Sequence, residues 1–382
     1  MDKLLPRPRL LARLKQAVAE FPVTVLLGAR QVGKSTLAQE SFAGKKGAVF
    51  YDLERSVDLQ ALETPELALE SAKGLVVIDE VQRQPGLFTA LRPLADRRPS
   101  PARFVLLGSA APDLMRGVSE SLAGRAQFLV VDGFNLRETG SDRWRALWLR
   151  GGFPRSFLAI DDGASLRWRT AFIATFLERD LPQLGIRIPA ETLRRFWMMI
   201  AHYHGQIWNA AEFGRSLGSS EKTARHYLDL LAGAYVVRVL PPWHENLGKR
   251  LVKSPKVYVR DSGLLHALLN IDAGPILAGH VKLGASWEGF ALEQVLAHWE
   301  SDHGWFWSTY QGAELDLLLE RSGKRYGFEF KYSDAPTLTR SMRTALEDLK
   351  LAHLWVVYPG TKTYPLAANV TAVPISDLPR PP

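Results

Sequence analysis

One stretch near the N-terminus has the residue types and spacing needed to hold a nucleoside triphosphate. The apolar run 23–27 leads into GARQVGKST at 28–36, and a helical pattern follows. This is G-x-x-x-x-G-K-[ST] between a strand and a helix, where backbone N–H groups surround phosphates at the positive end of the helix. The predicted nucleotide contacts are Gly28, Ala29, Arg30, Gln31, Val32, Gly33, Lys34, Ser35 and Thr36. Lys34 is expected to reach the β- and γ-phosphates and Ser35 to ligate Mg²⁺, so ATP and Mg²⁺ are the predicted cofactors.

A second apolar run ends in two carboxylates that complete this chemistry. Residues 74–80 read GLVVIDE, so Asp79 and Glu80 follow the strand directly. Asp79 is expected to join Ser35 in holding Mg²⁺, and Glu80 to polarise the water that attacks the γ-phosphate. An acidic pair can also be a solvated strand end, but together with the phosphate loop it favours hydrolysis over binding alone.

Two further polar residues have predicted catalytic roles. Ser109 directly follows the apolar run 103–108, at a position where a polar side chain could sense the γ-phosphate. Arg125 precedes the apolar run 126–131. It could contact the ATP of a neighbouring subunit or form a structural ion pair, and the sequence leaves both roles open.

A second candidate site lies near the C-terminus, in AELDLLLERSGKRYGFEFK at 313–331. Side chains alternate along a strand, so Glu314 and Asp316 share one face, as do Glu329 and Lys331. Carboxylates grouped in this way can collect Mg²⁺ for phosphodiester cleavage while the lysine orients the attacking water. The same residues could instead be the solvated face of an ordinary hairpin.

Length, charge and composition limit the classes of protein to which the chain can belong. The 382 residues predict two or three domains, with boundaries near 140 and 270. Residues 1–140 carry 19 basic and 16 acidic side chains (+3), residues 141–270 carry 19 and 11 (+8), and residues 271–382 carry 10 and 13 (−3). A basic middle segment is expected of a domain that binds a polyanion such as DNA. The absence of cysteine excludes disulfides, and no apolar run is long enough to cross a bilayer, so a cytoplasmic protein is expected.

The elements that position the first site form a predicted parallel α/β sheet. Apolar runs near 23–27, 47–52, 75–79, 103–108 and 126–131 alternate with helical patterns. Such alternation is typical of a parallel sheet covered by helices, with the nucleotide at the carboxyl ends of the strands.

These segments resemble a bacterial and archaeal group of AAA+-type ATPases in which the ATPase is followed by a domain of unknown function. The resemblance is carried by GARQVGKST, VVIDEVQ, LLGSA and SLAGR, and it extends through GGFP at 151–154 and LERD at 177–180. It implies assembly into a homo-oligomer, such as a hexameric ring. It also implies that Arg9 lies beside the adenine.

The basic middle of the chain predicts a winged-helix domain. NAAEFGRSLGSSEKTARHYLDLLAGAYVVRVL reads as two helices around Gly218-Ser219-Ser220, then a strand, a basic loop and a second strand at 256–259. The second helix would enter the major groove of DNA and the loop would lie on the phosphates. The predicted DNA contacts are Lys222, Arg225, Lys249, Arg250, Lys253 and Lys256. Contact with a protein is the alternative use of such a domain.

The last third has an order of elements that resembles the PD-(D/E)XK nuclease fold. A helix at 286–300 precedes three strands, a second helix and a further strand. On this resemblance Asp316, Glu329 and Lys331 match the acidic-acidic-lysine signature, and Glu288 matches an acidic residue of the first helix. Many such domains bind DNA without cutting it.

The function expected from these features is an oligomeric Mg²⁺-dependent ATPase that binds DNA, branched DNA included, and couples hydrolysis to remodelling or translocation. An ATP-regulated nuclease is one alternative. A switch that binds ATP and recruits a protein through the winged helix is another.

Overall fold

The computed structural model describes residues 5–98, 102–108, 121–244 and 252–382. The chain divides into two compact units. The first is Met1–Gly133 with Gly233–Tyr235, and the second is Phe134–Ala232 with Val236–Pro382.

A parallel five-stranded sheet organises the first unit, as the sequence predicts. Its strands are β1 (Val23–Leu27), β2 (Ala48–Asp52), β3 (Gly74–Asp79), β4 (Ala102–Leu107) and β5 (Ala126–Val130). They lie in the order β2-β3-β4-β1-β5, and every neighbouring pair is parallel. The described helices are Pro8–Glu20, Lys34–Phe42, Ser56–Ala61, Pro65–Glu70 and Leu87–Asp96. All residues of β1 are buried, which explains its unbroken apolar sequence.

The second unit begins with helices and a small sheet. Its described helices before the C-terminal sheet are Leu136–Thr139, Trp144–Arg150, Pro154–Phe157, Asp162–Thr175, Leu181–Gln183, Ala190–His202, Ala210–Leu217, Glu221–Gly233, Ser262–Leu268, Gly274–Gly279 and Leu283–Trp299, with a π-helical turn at Phe176–Asp180. The small antiparallel sheet contains β6 (Gln206–Ile207), β7 (Val237–Leu240) and β8 (Lys256–Val259) in the order β6-β8-β7.

A mixed six-stranded sheet follows in the same unit. Its strands are β9 (Trp305–Ser308), β10 (Glu314–Arg321), β11 (Lys324–Phe330), β12 (His353–Tyr358), β13 (Tyr364–Ala367) and β14 (Val370–Pro374). They lie in the order β13-β14-β12-β11-β10-β9, and the helix Arg340–Leu349 packs its buried side chains against them. The strands β13 and β14 have no counterpart in the sequence-based prediction.

The residues around the small sheet also contact the edge of the large one. Beyond β7, the Trp243 N–H donates to the Phe306 carbonyl over 2.7 Å, and before β8 the Val252 N–H donates to the Ser308 carbonyl over 3.2 Å. Both acceptors lie on β9, so the described base of the predicted wing is anchored to this strand. Among the described residues, no helix combines the length and apolar character needed to cross a membrane.

Candidate functional site

The loop between β1 and the helix Lys34–Phe42 forms the predicted phosphate site. Gly33 precedes the helix in the left-handed region, with φ at 97°. At Gly28, φ is 149° and an added Cβ would lie 2.1 Å from the Val131 carbonyl oxygen. A side chain at this position would push the loop away from the strand end, so the close approach requires glycine.

Lys34 directs its ammonium group into this loop. Its Nζ donates to the carbonyls of Gly28 (3.1 Å) and Ala29 (2.9 Å), and the side chain is buried. Burial lowers the pKa of Lys34 to about 8, although the charges of Glu80 and Asp79 oppose the shift. The lysine is therefore held beside the loop carbonyls, where a phosphate oxygen could replace them as its partner.

The carboxyl end of β3 brings the predicted acidic residues to the same edge. The Asp79 side chain accepts a hydrogen bond from the Ser35 hydroxyl. A hydroxyl and a carboxylate in hydrogen-bond contact suit Mg²⁺, which takes oxygen ligands from protein and phosphate together. Ser35 and Asp79 would therefore hold the ion. Burial raises the pKa of both Asp79 and Glu80.

Glu80 lies in an uncommon backbone conformation at the end of β3. Its φ and ψ are 56° and 42°, in the left-handed region that residues other than glycine rarely adopt. Its carboxylate accepts a hydrogen bond from Gln82, and the charge of Arg30 opposes the rise of its pKa. Arg30 itself pairs with Glu54, so this loop arginine faces acidic side chains.

The end of a third strand, β4, lies at the same edge of the sheet. Because β4 lies between β1 and β3, the end of β4 separates the phosphate loop from Asp79. The Gly108 N–H donates to the Leu26 carbonyl at this end. Ser109, the predicted γ-phosphate sensor, comes next and lies outside the described residues.

The segment before the first helix contributes an arginine that sequence analysis missed. Arg7 is buried, and its guanidinium donates to the carbonyls of Val32 (3.5 Å) and Gly133 (3.3 Å). Arg9, the predicted adenine neighbour, is exposed on the helix Pro8–Glu20.

Arg125 forms a bidentate ion pair in this unit. Its Nε and Nη2 lie 2.6 and 2.7 Å from the two carboxylate oxygens of Asp96. Of the two roles that the sequence leaves open, this pairing corresponds to the structural one. The pair is largely exposed, and its strength will fall with ionic strength.

The pKa of Lys34 leads to a testable pH dependence. A bound polyanion favours the charged lysine, so nucleotide binding above pH 8 requires uptake of a proton. We expect the dissociation constant for ATP to be flat below about pH 8 and to rise up to about tenfold per pH unit above it. Calorimetric titration in buffers of different ionisation enthalpy would measure both effects. Lys34→Met should bind weakly at every pH, and an affinity of the unchanged chain that stays constant above pH 8 would contradict the assignment.

The predicted DNA-contacting helix exposes its basic residues. In Glu221–Gly233, Ala224, Leu228 and Leu231 are buried, while Lys222 and Arg225 are exposed. Arg225 pairs with Glu221 at 2.6 Å. Lys253 is also exposed, and Lys249 and Arg250 lie outside the described residues.

The predicted nuclease-like residues come together on the large sheet. Asp316 on β10 and Glu329 on β11 are buried, and the Lys331 Nζ lies 2.7 Å from Glu329 Oε1. Glu288 reaches this cluster from the helix Leu283–Trp299, since its charge raises the pKa of both buried carboxyls. Burial and the neighbouring Asp316 raise the pKa of Glu329 to about 8. Throughout the described ranges, no group of three His, Cys, Asp or Glu side chains is arranged to hold a metal ion.

The prediction that Lys256 contacts DNA is wrong. Lys256 is 3% exposed, and its Nζ lies 3.1 Å from Glu288 Oε1 and 3.8 Å from Asp316 Oδ1. It also pairs with Glu314. Burial by itself would lower the pKa of Lys256, but these carboxylates outweigh it and raise the pKa well above its ordinary value. The basic residues near Lys256 in the sequence suggested a contact with phosphate. In the folded chain the lysine instead forms ion pairs with acidic residues that are distant in sequence.

Comparisons with known proteins agree with this architecture. Family models match residues 20–140 as an AAA domain, residues 141–274 as the domain of unknown function DUF8612, and residues 283–378 as the domain of unknown function DUF4143. Uncharacterized proteins of Mycobacterium bovis and Mycobacterium tuberculosis are each 51% identical over 98% of this chain and 85% of their own length.

A solved structure shares the fold. The Walker-type ATPase PABY2304 of Pyrococcus abyssi aligns with a TM-score of 0.52 at 17% identity, covering 70% of this chain and 96% of that one. The chain belongs to the family of these mycobacterial proteins, as an AAA-type P-loop ATPase with a C-terminal DUF4143 domain.

Proposed function

We propose that this protein is a Mg²⁺-dependent ATPase that binds DNA and couples ATP hydrolysis to remodelling of that DNA. The observation that carries the catalytic part is the meeting of Lys34, Ser35, Asp79 and Glu80 at the carboxyl edge of one parallel sheet. In this reading the loop and Lys34 bind the phosphates, Ser35 and Asp79 hold Mg²⁺, and Glu80 orients the attacking water. The bound Mg²⁺ would supply charge stabilisation at the phosphoryl group.

The DNA-binding part rests on the middle of the chain. A helix (Ala190–His202), β6, two further helices, β7 and β8 follow one another in the order of a winged-helix domain. Gly214 lies within the helix Ala210–Leu217, and a Cβ at this position would lie 3.0 Å from the Glu221 nitrogen, so glycine permits the close approach of the next helix. The Thr223 N–H donates to Ser220 Oγ, which caps the second helix. That helix exposes Lys222 and Arg225, which supports its use as the DNA-facing element.

The proposed division of labour follows the three segments predicted from sequence. Residues 1–140 would hydrolyse ATP, residues 141–270 would bind DNA, and residues 271–382 would carry the nuclease-like sheet. Assembly into a ring belongs to the same proposal. It requires Arg125 to exchange Asp96 for the phosphates of a neighbouring subunit.

Steady-state ATP hydrolysis with single-stranded, linear duplex and four-way-junction DNA tests this function. We expect at least one DNA form to stimulate turnover and to remain intact on a gel. Glu80→Gln, purified in the same way, is the control that measures any contaminating ATPase activity. If no DNA form alters hydrolysis by the active chain, the DNA proposal fails and a switch that recruits a protein partner becomes the better reading.

Substitution of the exposed basic pair should weaken DNA binding in a characteristic way. Lys222→Glu with Arg225→Glu is expected to lower affinity for all sequences and to reduce the slope of log K against log salt by about 1 per lost phosphate contact. Lys324→Glu reverses one exposed charge at the start of β11 and is the control. Fluorescence anisotropy over a series of salt concentrations gives both slopes. An unchanged slope in the double variant would remove this helix from the DNA interface.

A further inference from the structure

The carboxylates on the large sheet are already paired with lysine ammonium groups. The carboxylate cluster is defined here as Glu288, Glu314, Asp316 and Glu329. The Lys256 Nζ contacts the first three, and the Lys331 Nζ contacts the fourth. The Lys256 ammonium group therefore lies among carboxylates that the predicted nuclease site would use to hold a divalent cation, while Lys331 is the lysine that this site would itself contain.

Several carboxylate oxygens of the cluster already accept hydrogen bonds, whereas the buried Glu329 Oε2 has no hydrogen-bond partner within the described part of the chain. Glu288 Oε1 accepts from both Lys256 (3.1 Å) and the Tyr258 hydroxyl (2.6 Å). Asp316 Oδ2 accepts from the Phe330 N–H over 2.9 Å. Mg²⁺ requires near-octahedral oxygen coordination at about 2.0–2.1 Å, and these oxygens of Glu288 and Asp316 face hydrogen-bond donors instead.

The fold fixes Lys256 in this position. It begins β8, the central strand of the small sheet, and is paired with Ile207 on one side and Leu240 on the other. Its ammonium group also lies 5.7 Å from the centre of the Phe306 ring, on β9. If the ammonium group left the cluster, a buried charge would lose its ion pairs. The pairing of β8 with a strand on each side also prevents the backbone of Lys256 from moving away from the cluster.

We propose that Lys256 is the resident cation of the carboxylate cluster, so that the nuclease-like sheet binds no divalent metal and does not cut nucleic acid. The lysine neutralises the same carboxylates that a metal would use and joins the small sheet to the large one. The inference does not depend on the proposed ATP-driven function, because the cluster and the phosphate loop lie in different units.

Binding of Mn²⁺ to the full chain, followed by electron paramagnetic resonance without nucleotide, tests the proposal. Asp79→Asn is the background, since it removes the metal ligand of the ATP site. In this background we expect no Mn²⁺ binding that depends on Asp316. With Lys256→Met added to this background, the chain should bind Mn²⁺ at least about tenfold more tightly than the chain that retains Lys256. Asp316→Asn should abolish this gain.

Two outcomes would overturn the proposal. The first is Asp316-dependent Mn²⁺ binding, or metal-dependent cutting of DNA, by a chain that retains Lys256. The second is a folded Lys256 variant that gains no metal site. Lys256→Gln is the second variant for the case in which Lys256→Met does not fold, because its amide still donates to the carboxylates. Lys253→Met changes an exposed lysine three residues earlier and should leave Mn²⁺ binding unchanged.

Discussion

Replacing Glu80 by glutamine is expected to lower the rate of ATP hydrolysis by about 100-fold or more, while ATP still binds. Glutamine keeps the size of the side chain and a hydrogen-bonding group, but it cannot accept the proton of the attacking water. The pKa of Glu80 is raised by burial, which makes its carboxylate a stronger base than an exposed one. Single-turnover hydrolysis and a binding titration with ATP would separate the two effects.

A matched control isolates the role of Glu80. Glu40→Gln removes one carboxylate from the exposed face of the helix that follows the phosphate loop, and it should leave turnover unchanged. Lys34→Ala should differ from both, because it should weaken ATP binding itself. Turnover by Glu80→Gln equal to that of the unchanged chain would assign the water to another residue.

Replacing Lys256 by methionine is expected to destabilise the second unit by about 3–5 kcal/mol. The substitution leaves Glu288, Glu314 and Asp316 without their shared cation, in a largely buried setting. All 11 tryptophans fall between residues 144 and 355. Tryptophan fluorescence during urea unfolding therefore reports this unit without a signal from the ATPase sheet.

The exposed Lys253 provides the comparison. Lys253→Met should change the free energy of unfolding by no more than about 0.5 kcal/mol. Adding Glu288→Gln and Asp316→Asn to Lys256→Met should recover part of the lost stability, because two uncompensated charges are removed. Equal unfolding curves for Lys253→Met and Lys256→Met would show that the buried ion pairs contribute little.

The ATP site could be predicted from sequence because its parts are local. The phosphate loop and the carboxylates Asp79 and Glu80 each follow an apolar run directly, and parallel strands bring all carboxyl ends to one edge. The five strands of the first unit accordingly lie within one residue of the ranges predicted from sequence, at both ends. The contact of Arg7 with the phosphate loop was missed because nothing nearby in the sequence indicates whether Arg7 or Arg9 turns inward.

The role of Lys256 could not be predicted in the same way. Its partners lie 32 to 60 residues further along the chain, on a helix and a strand that meet β8 only in the folded unit. One local signal was available. Lys256 and Tyr258 alternate with Val257 and Val259, so the two polar side chains share one face of the strand. In the structure every residue of this strand is buried, and both polar groups contact Glu288.

The order of strands in the first sheet bears on how the protein folds during synthesis. The strand β1 is made first, yet its neighbours in the described sheet are β4 and β5, so it meets its first partner once residues 102–107 have been made and its second once residues 126–130 have been made. By contrast, β9, β10 and β11 pair with their neighbours in sequence and can assemble as they appear. The phosphate loop, which depends on β1 and on the Val131 carbonyl, is therefore completed only when the last strand of its sheet is added. The ability to bind ATP would thus mark the moment at which this sheet has been completed.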